Sequence, residues 1–264
     1  MQPFVLPNGM CVKSFNAHET RHLYRDIFER NVYFKHGIFL ADHSVVIDAG
    51  ANIGLFTLFV LSQCPTASVH AFEPAPKTFE VLRANTIAHK NVEINNCGLG
   101  SHDKQELFMF LPMATTGSGY YTKGSIPKMK ERICSSIMAD PDKSIPYRGL
   151  CGPKLLRSQL DNVFDGGDAF PMLIRPLSSY IDGKKISNID LLKIDVEGME
   201  RAVMAGIRGD QWKFIHQVAI EVHALHNDTH PLPEIVAALQ THGFTVNTTA
   251  TEGWMTTMVY AKRS

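Results

Sequence analysis

The chain has 264 residues, 44% of them hydrophobic, and its 26 Lys and Arg are balanced by 26 Asp and Glu. That is enough length and apolar content for one α/β domain with an insertion. The neutral balance argues against a protein held on nucleic acid by a basic excess. Five cysteines (Cys11, Cys64, Cys97, Cys134 and Cys151) form no C-x-x-C pair. They read as reduced thiols in a cytoplasmic protein, not as a disulfide frame or zinc site. The N-terminus lacks the basic start and apolar core of a signal peptide. The longest apolar run, Ile53 to Leu61, is too short to span a bilayer. The expectation is a protein bound to neither membrane nor nucleic acid.

Residues 1–16 are turn-rich, and Pro7-Asn8-Gly9 predicts a hairpin turn. His18 to Val32 reads as a helix with an apolar stripe of Leu23, Ile27 and Phe28. Residues 1–40 are expected to cover a cofactor site in a domain spanning 41–264. Tyr24 and Tyr33 either fold over a ligand as a lid or pack that helix on the sheet edge.

Val45-Val46-Ile47-Asp48-Ala49-Gly50-Ala51-Asn52-Ile53-Gly54 then predicts a buried parallel strand, a glycine turn and a helix start. Helices are expected over Ile53–Gln63 and Lys77–His89. Between them lies a second strand ending Phe72-Glu73-Pro74. A strand, glycine turn, helix, strand and terminal acid form the unit with which an open α/β sheet grips a nucleoside. Asn52 stands where a dinucleotide fold needs a second glycine to admit the pyrophosphate, and no phosphate loop follows. A ligand with ribose but no phosphate fits better, and S-adenosylmethionine (SAM) is one. Gly50, Asn52 and Gly54 are assigned to the wall around its methionine moiety, with Asp48 at the strand end. Glu73, followed by Pro74, is assigned to the ribose hydroxyls. A third strand from Val92 leads to Asn96-Cys97-Gly98-Leu99, where the adenine would lie.

Gln105–Leu111 alternates and predicts an added antiparallel strand. Residues 112 to about 170 break the rhythm. Between Tyr121 and Arg157 stand eight basic residues (Lys123, Lys128, Lys130, Arg132, Lys143, Arg148, Lys154, Arg157) against Glu131, Asp140 and Asp142. This insertion reads as a lid over the substrate, with a solvated surface excursion as the alternative. Order returns at Met172–Leu177. Ile189 to Glu200 is another buried strand, ending Lys193-Ile194-Asp195-Val196-Glu197-Gly198, and Gln217–His223 is a further one ending in Glu221 and His223. A helix over Pro233–His242 and a terminal hairpin, Phe244–Thr249 with Thr256–Lys262, complete the pattern. The expected fold is a Rossmann-like class I methyltransferase. Its seven-stranded sheet is mostly parallel, with an antiparallel edge hairpin and an inserted lid.

Several separated motifs resemble FkbM-type SAM-dependent methyltransferases. They are Val46 to Gly54, Ala71-Phe72-Glu73-Pro74 with Leu82 and Asn85, Leu192 to Glu200, and Ile220-Glu221-Val222-His223. Leu6-Pro7-Asn8-Gly9 with Glu19 through Gly37 is similar to the versions built into polyketide and nonribosomal-peptide assembly lines. The resemblance implies methylation of oxygen. With the basic insertion, it also implies an acidic partner: an acyl or peptidyl carrier protein delivering a hydroxyacyl substrate.

Methyl transfer from a sulfonium is an in-line displacement that needs alignment and, for a hydroxyl acceptor, a proton acceptor. In a parallel sheet these groups belong at strand C-termini. Asp195, Glu197, Glu221 and His223 are the candidates there. In one mechanism His223 is the general base, oriented by a carboxylate. In another, Asp195, Glu221 and His223 hold Mg²⁺, Mn²⁺ or Fe²⁺, as the metal ligands of catechol-type O-methyltransferases do in similar positions. The plain alternative has Asp195 and Glu197 capping a helix. A nicotinamide-dependent dehydrogenase is disfavoured by Asn52, and a non-catalytic binding module by the four polar groups together. A free sugar, lipid or small-molecule acceptor stands as the alternative to a carrier-bound one.

Overall fold

The computed structural model describes residues 1–110, 130–131, 158, 161, 168–223, 231–250 and 256–263. Gly9, at φ +85°, turns the chain between β1 (Gln2–Val5) and β2 (Cys11–Ser14), with the Asn8 side chain accepting from the Met10 N–H. Asn16 caps α1 (Ala17–Tyr24), accepting from the His18 and Glu19 N–H groups. The expected helix to Val32 is shorter. A single π turn takes over at Arg25–Glu29. Beyond it, Tyr33 is 5% exposed and Tyr24 is 7% exposed. Neither is an open lid. Tyr24 stacks on Phe28, and Tyr33 meets Phe56 edge to face at 5.0 Å.

The nucleoside-type unit follows as β3 (Val45–Ala49), α2 (Leu55–Gln63), β4 (Ser68–Phe72), α3 (Pro76–Thr86) and β5 (Val92–Asn95). Pro76 starts α3, where its missing N–H costs nothing. After β6 (Gly98–Leu99) and β7 (Lys104–Phe110), description resumes at β8 (Asp168–Arg175) and α4 (Leu177–Lys184). Then come β9 (Leu191–Ile194), α5 (Glu200–Ala205), β10 (Gln217–His223), α6 (Leu232–Thr241), β11 (Thr245–Ala250) and β12 (Thr256–Lys262).

The central sheet has seven strands in the order β11-β12-β10-β9-β3-β4-β5. Strands β10, β9, β3, β4 and β5 are parallel neighbours, and β12 runs antiparallel to β10 and β11. This is the expected mostly parallel sheet with an antiparallel edge. The chain steps outward from β3 to β5 and returns at β9, so the order reverses between β3 and β9. Open α/β sheets bind ligands at the carboxyl ends of such strands.

One expectation changes. The strand expected from Gln105 is antiparallel, but it joins a separate three-stranded sheet, β6-β8-β7. The order expected at Met172–Leu177 is the end of β8 and the start of α4. Pro176 lacks the ladder donor, β8 ends at Arg175, and Leu177 opens α4. The lid expected over 112–170 falls almost wholly outside the described residues.

Apolar side chains pack both faces of the main sheet. Leu177, Ile181, Val203, Ile220, Ile235 and Leu239 belong to one buried cluster. The other joins Val46, Phe56 and Phe59 to Leu6, Ile27 and Tyr33 of the N-terminal segment. That segment therefore lies over β3 and α2, beside the point where the strand order reverses. Among the described residues no helix is long and apolar enough to cross a membrane.

Candidate active site

The turn after β3 is built by glycine geometry. Gly50 sits at φ +80°, and a Cβ there would fall on the backbone carbonyl of Asp195. Its smallness thus lets the turn lie directly against the exit of β9. Asn52 is also left-handed, at φ 49°, a conformation that asparagine tolerates well. Gly54, at φ +91°, begins α2 hard against Leu82.

Glu73 reaches back to this turn. One carboxylate oxygen accepts the Asn52 N–H and the other the Ala75 N–H, each at 2.9 Å. Glu73 is 6% exposed, and burial pushes its carboxyl up to about 7 against the help of those two donors. A carboxylate has about four acceptor positions, so two remain for hydroxyls. Asn96 donates to the Glu73 and Pro74 carbonyls at 2.9 and 3.2 Å and holds the β5 exit against this corner. Cys97 is buried, and Gly98 packs against Pro74 and Ile174. Glu73, Pro74, Asn96, Cys97 and Gly98 are therefore neighbours.

Beneath the turn lies a residue to which the sequence reading gave no role. Lys193, 2% exposed, donates to the Gly50 carbonyl at 2.7 Å and stands 3.1 Å from Asp48 Oδ1 and 3.7 Å from Asp195 Oδ2. The approach to Asp48 is ionic, not a directed hydrogen bond. The other oxygen of Asp48, itself fully buried, accepts from the Thr57 hydroxyl at 2.8 Å. Burial alone would lower the ammonium's pKa; the attraction of Asp48 and Asp195 outweighs it and raises it. The signal was a single charge inside the apolar run Leu191-Leu192-Lys193-Ile194.

Across the order reversal, Asp195, Glu197 and His223 present ligand atoms within 4.8 Å of one another. Glu197 is left-handed at φ +52°, a strained position for a non-glycine residue, and Gly198 follows at φ +94°. That tight turn brings the Glu197 carboxylate to 3.5 Å from His223 Nε2. Glu221, expected to complete a metal set with Asp195 and His223, is not in this trio, and Glu197 is. The cap position of α5 is Met199, with no side-chain bond, while Glu200 accepts the Gly198 N–H at 2.8 Å.

Glu200 also sets the orientation of His223. Its carboxylate, 1% exposed, accepts from His223 Nδ1 at 2.9 Å and leaves Nε2 facing Glu197. Burial would lower the pKa of His223, but Glu197 and Glu200 overcome it and raise the imidazole well above its usual value. Glu197 is pushed up to about 8 and Glu221 to about 7, in both cases by burial first, with Asp195 adding like-charge repulsion.

The Methyltransferase FkbM domain profile matches residues 48–246. The chain belongs to the FkbM methyltransferase family. It is 37% identical over 242 residues to 31-O-demethyl-FK506 methyltransferase FkbM of Streptomyces tacrolimicus, covering 91% of this chain and 88% of that protein. It is 32% identical over 222 residues to AMB antimetabolite synthetase AmbE of Pseudomonas aeruginosa, covering 83% of this chain but 10% of that much longer protein. Methyltransferase sdnD of Sordaria araneosa is 29% identical over 239 residues, with 86% and 83% covered. This FkbM chain is accordingly a SAM-dependent methyltransferase with relatives in natural-product biosynthesis. Its donor set suits SAM: a carboxylate with spare acceptor positions for ribose hydroxyls, beside a turn that opens no phosphate cradle. The match begins at Asp48, so the N-terminal segment carrying Tyr33 lies outside it.

Proposed function

We propose that this FkbM methyltransferase methylates a hydroxyl or carboxyl oxygen of a polyketide- or peptide-type intermediate presented by an acyl or peptidyl carrier protein, with a divalent cation assisting. The observation that carries the reading is the convergence of Asp195, Glu197 and His223 beside the cofactor turn. Two carboxylates and one imidazole suit Mg²⁺, Mn²⁺ or Fe²⁺. The Glu200–His223 pair has the form of an outer carboxylate that orients a metal-binding histidine. Bound SAM supplies an electrophilic methyl group, and a cation held by Asp195, Glu197 and His223 would lower the pKa of the acceptor hydroxyl. The chain itself contributes alignment: Glu73 on the ribose, the Gly50 turn against β9, and the acidic cluster on the acceptor side. Alignment of this kind is worth about 7–11 kcal/mol of barrier.

A relative named for 31-O-demethyl-FK506 supports an oxygen acceptor, and one named as an antimetabolite synthetase supports an assembly-line setting. The basic excess between residues 121 and 157 suits an acidic carrier. A metal-free mechanism is the second reading, and one observation bears on its proton acceptor. Both nitrogens of His223 face carboxylates and its pKa is raised, so the imidazole tends to keep its proton, and Glu197, pushed up to about 8 by burial, accepts one readily only above that pH. Rates on carrier-bound and free hydroxyacyl acceptors test the substrate reading. A preference of tenfold or more for the carrier-bound form is expected, and equal rates would remove the carrier from the account.

A further inference from the structure

The two oxygens of Asp195 have different surroundings. Oδ2 accepts the Tyr33 hydroxyl at 2.8 Å, and the Lys193 ammonium stands 3.7 Å from the same oxygen. Both the hydroxyl donor and the ammonium thus fall on one oxygen of the carboxylate. Tyr33 comes from the N-terminal segment, 162 positions before Asp195. Its ring meets Phe56 edge to face at 5.0 Å, and the Lys193 ammonium stands 5.6 Å from its centroid. It is buried in a core, so its hydroxyl has one defined direction.

We infer that Tyr33 is a positioning residue for methyl transfer: it holds Asp195 Oδ2 so that Oδ1 is the oxygen offered to the reacting centre. The inference rests on the acceptor-side role proposed for Asp195. It also gives residues 1–40 a function inside the site: the matched domain supplies the acid, and the preceding segment orients it. Tyr33→Phe removes the hydroxyl alone and leaves the ring packing, so the fold is retained. Outer partners of this kind are worth about 10–100-fold in activity.

The test is a double-mutant cycle on steady-state transfer with Tyr33→Phe, Asp195→Asn and both together, alongside SAM affinity by calorimetry. Expected are a fall in kcat of about tenfold or more for Tyr33→Phe, a SAM Kd within about twofold of wild type, and no added loss on the Asp195→Asn background. A Tyr33→Phe kcat within about twofold of wild type overturns the inference, as does an equal loss on both backgrounds, which would mark a general packing role. If Asp195→Asn itself leaves kcat unchanged, the acceptor-side reading of Asp195 falls, and this inference with it.

Discussion

Raising the pH from 6 to 8 should tighten SAM binding about tenfold through one residue, Glu73. Its carboxyl titrates near 7 because it is buried. Ribose hydroxyls donate to the ionised form, so the apparent affinity is scaled by the ionised fraction. That fraction is about 0.1 at pH 6 and about 0.9 at pH 8. Binding at pH 7 should release about half a proton. Calorimetry at three pH values, in buffers of different ionisation enthalpy, reads both quantities. Glu73→Gln should abolish the dependence that belongs to the enzyme, and a proton lost from the ligand's own amine appears in both proteins and cancels. A wild-type Kd flat between pH 6 and 8, or an equal slope in Glu73→Gln, would refute the assignment. The same shift acts on stability with a definite sign. The folded-state value, about 7, lies above the ordinary 4.5, so the folded chain binds more protons in that interval. Glu73 is therefore least costly to bury below pH 4.5, and the ligand-free protein should lose about 3 kcal/mol as pH rises through 7.

Other perturbations give further checks. Gly50→Ala forces a left-handed alanine against the Asp195 carbonyl; a fall in Tm of about 4 °C or more with loss of SAM binding is expected, and an unshifted melt would show that the turn is not packed this way. Lys193→Met strands the buried Asp48 carboxylate with Thr57 alone, and denaturant unfolding should show a loss of about 3–5 kcal/mol; a loss below about 1 kcal/mol would contradict the buried ion pair. Glu200→Gln should weaken Mn²⁺ binding about 10–100-fold without altering the circular dichroism spectrum, and unchanged affinity would remove Glu200 from the support of His223.

Legibility in the sequence followed distance along the chain. The unit from Val45 to Glu73 was readable because its strands, glycine turn and helix start are local patterns, and each recurs in the structure as β3, the Gly50 turn, α2 and β4. The terminal hairpin and the strands ending at Asp195 and His223 were readable for the same reason. The β6-β8-β7 sheet was not. It pairs Gly98 with Ile174 across a long intervening segment, and no local pattern encodes that partner. Helix α4 was missed because its short run, Ser178-Ser179-Tyr180-Ile181-Asp182-Gly183, has a weak stripe and an interior glycine. At the site, the strand ends bring Asp195, Glu197 and His223 within reach of one another. That Glu197 joins the other two depends on a left-handed turn that residue types alone do not announce. Lys193, Glu200 and Tyr33 act through contacts between elements, so their partners became visible only in the fold.

The most direct test of the account is transfer of labelled methyl from SAM to carrier-bound and free hydroxyacyl acceptors, before and after EDTA and then after Mn²⁺ or Mg²⁺ is restored. The account predicts an O-methylated product whose formation stops on chelation and returns with the metal. SAM binding without transfer to any oxygen acceptor would contradict the proposed reaction, and transfer indifferent to exhaustive chelation would contradict the ion held by Asp195, Glu197 and His223.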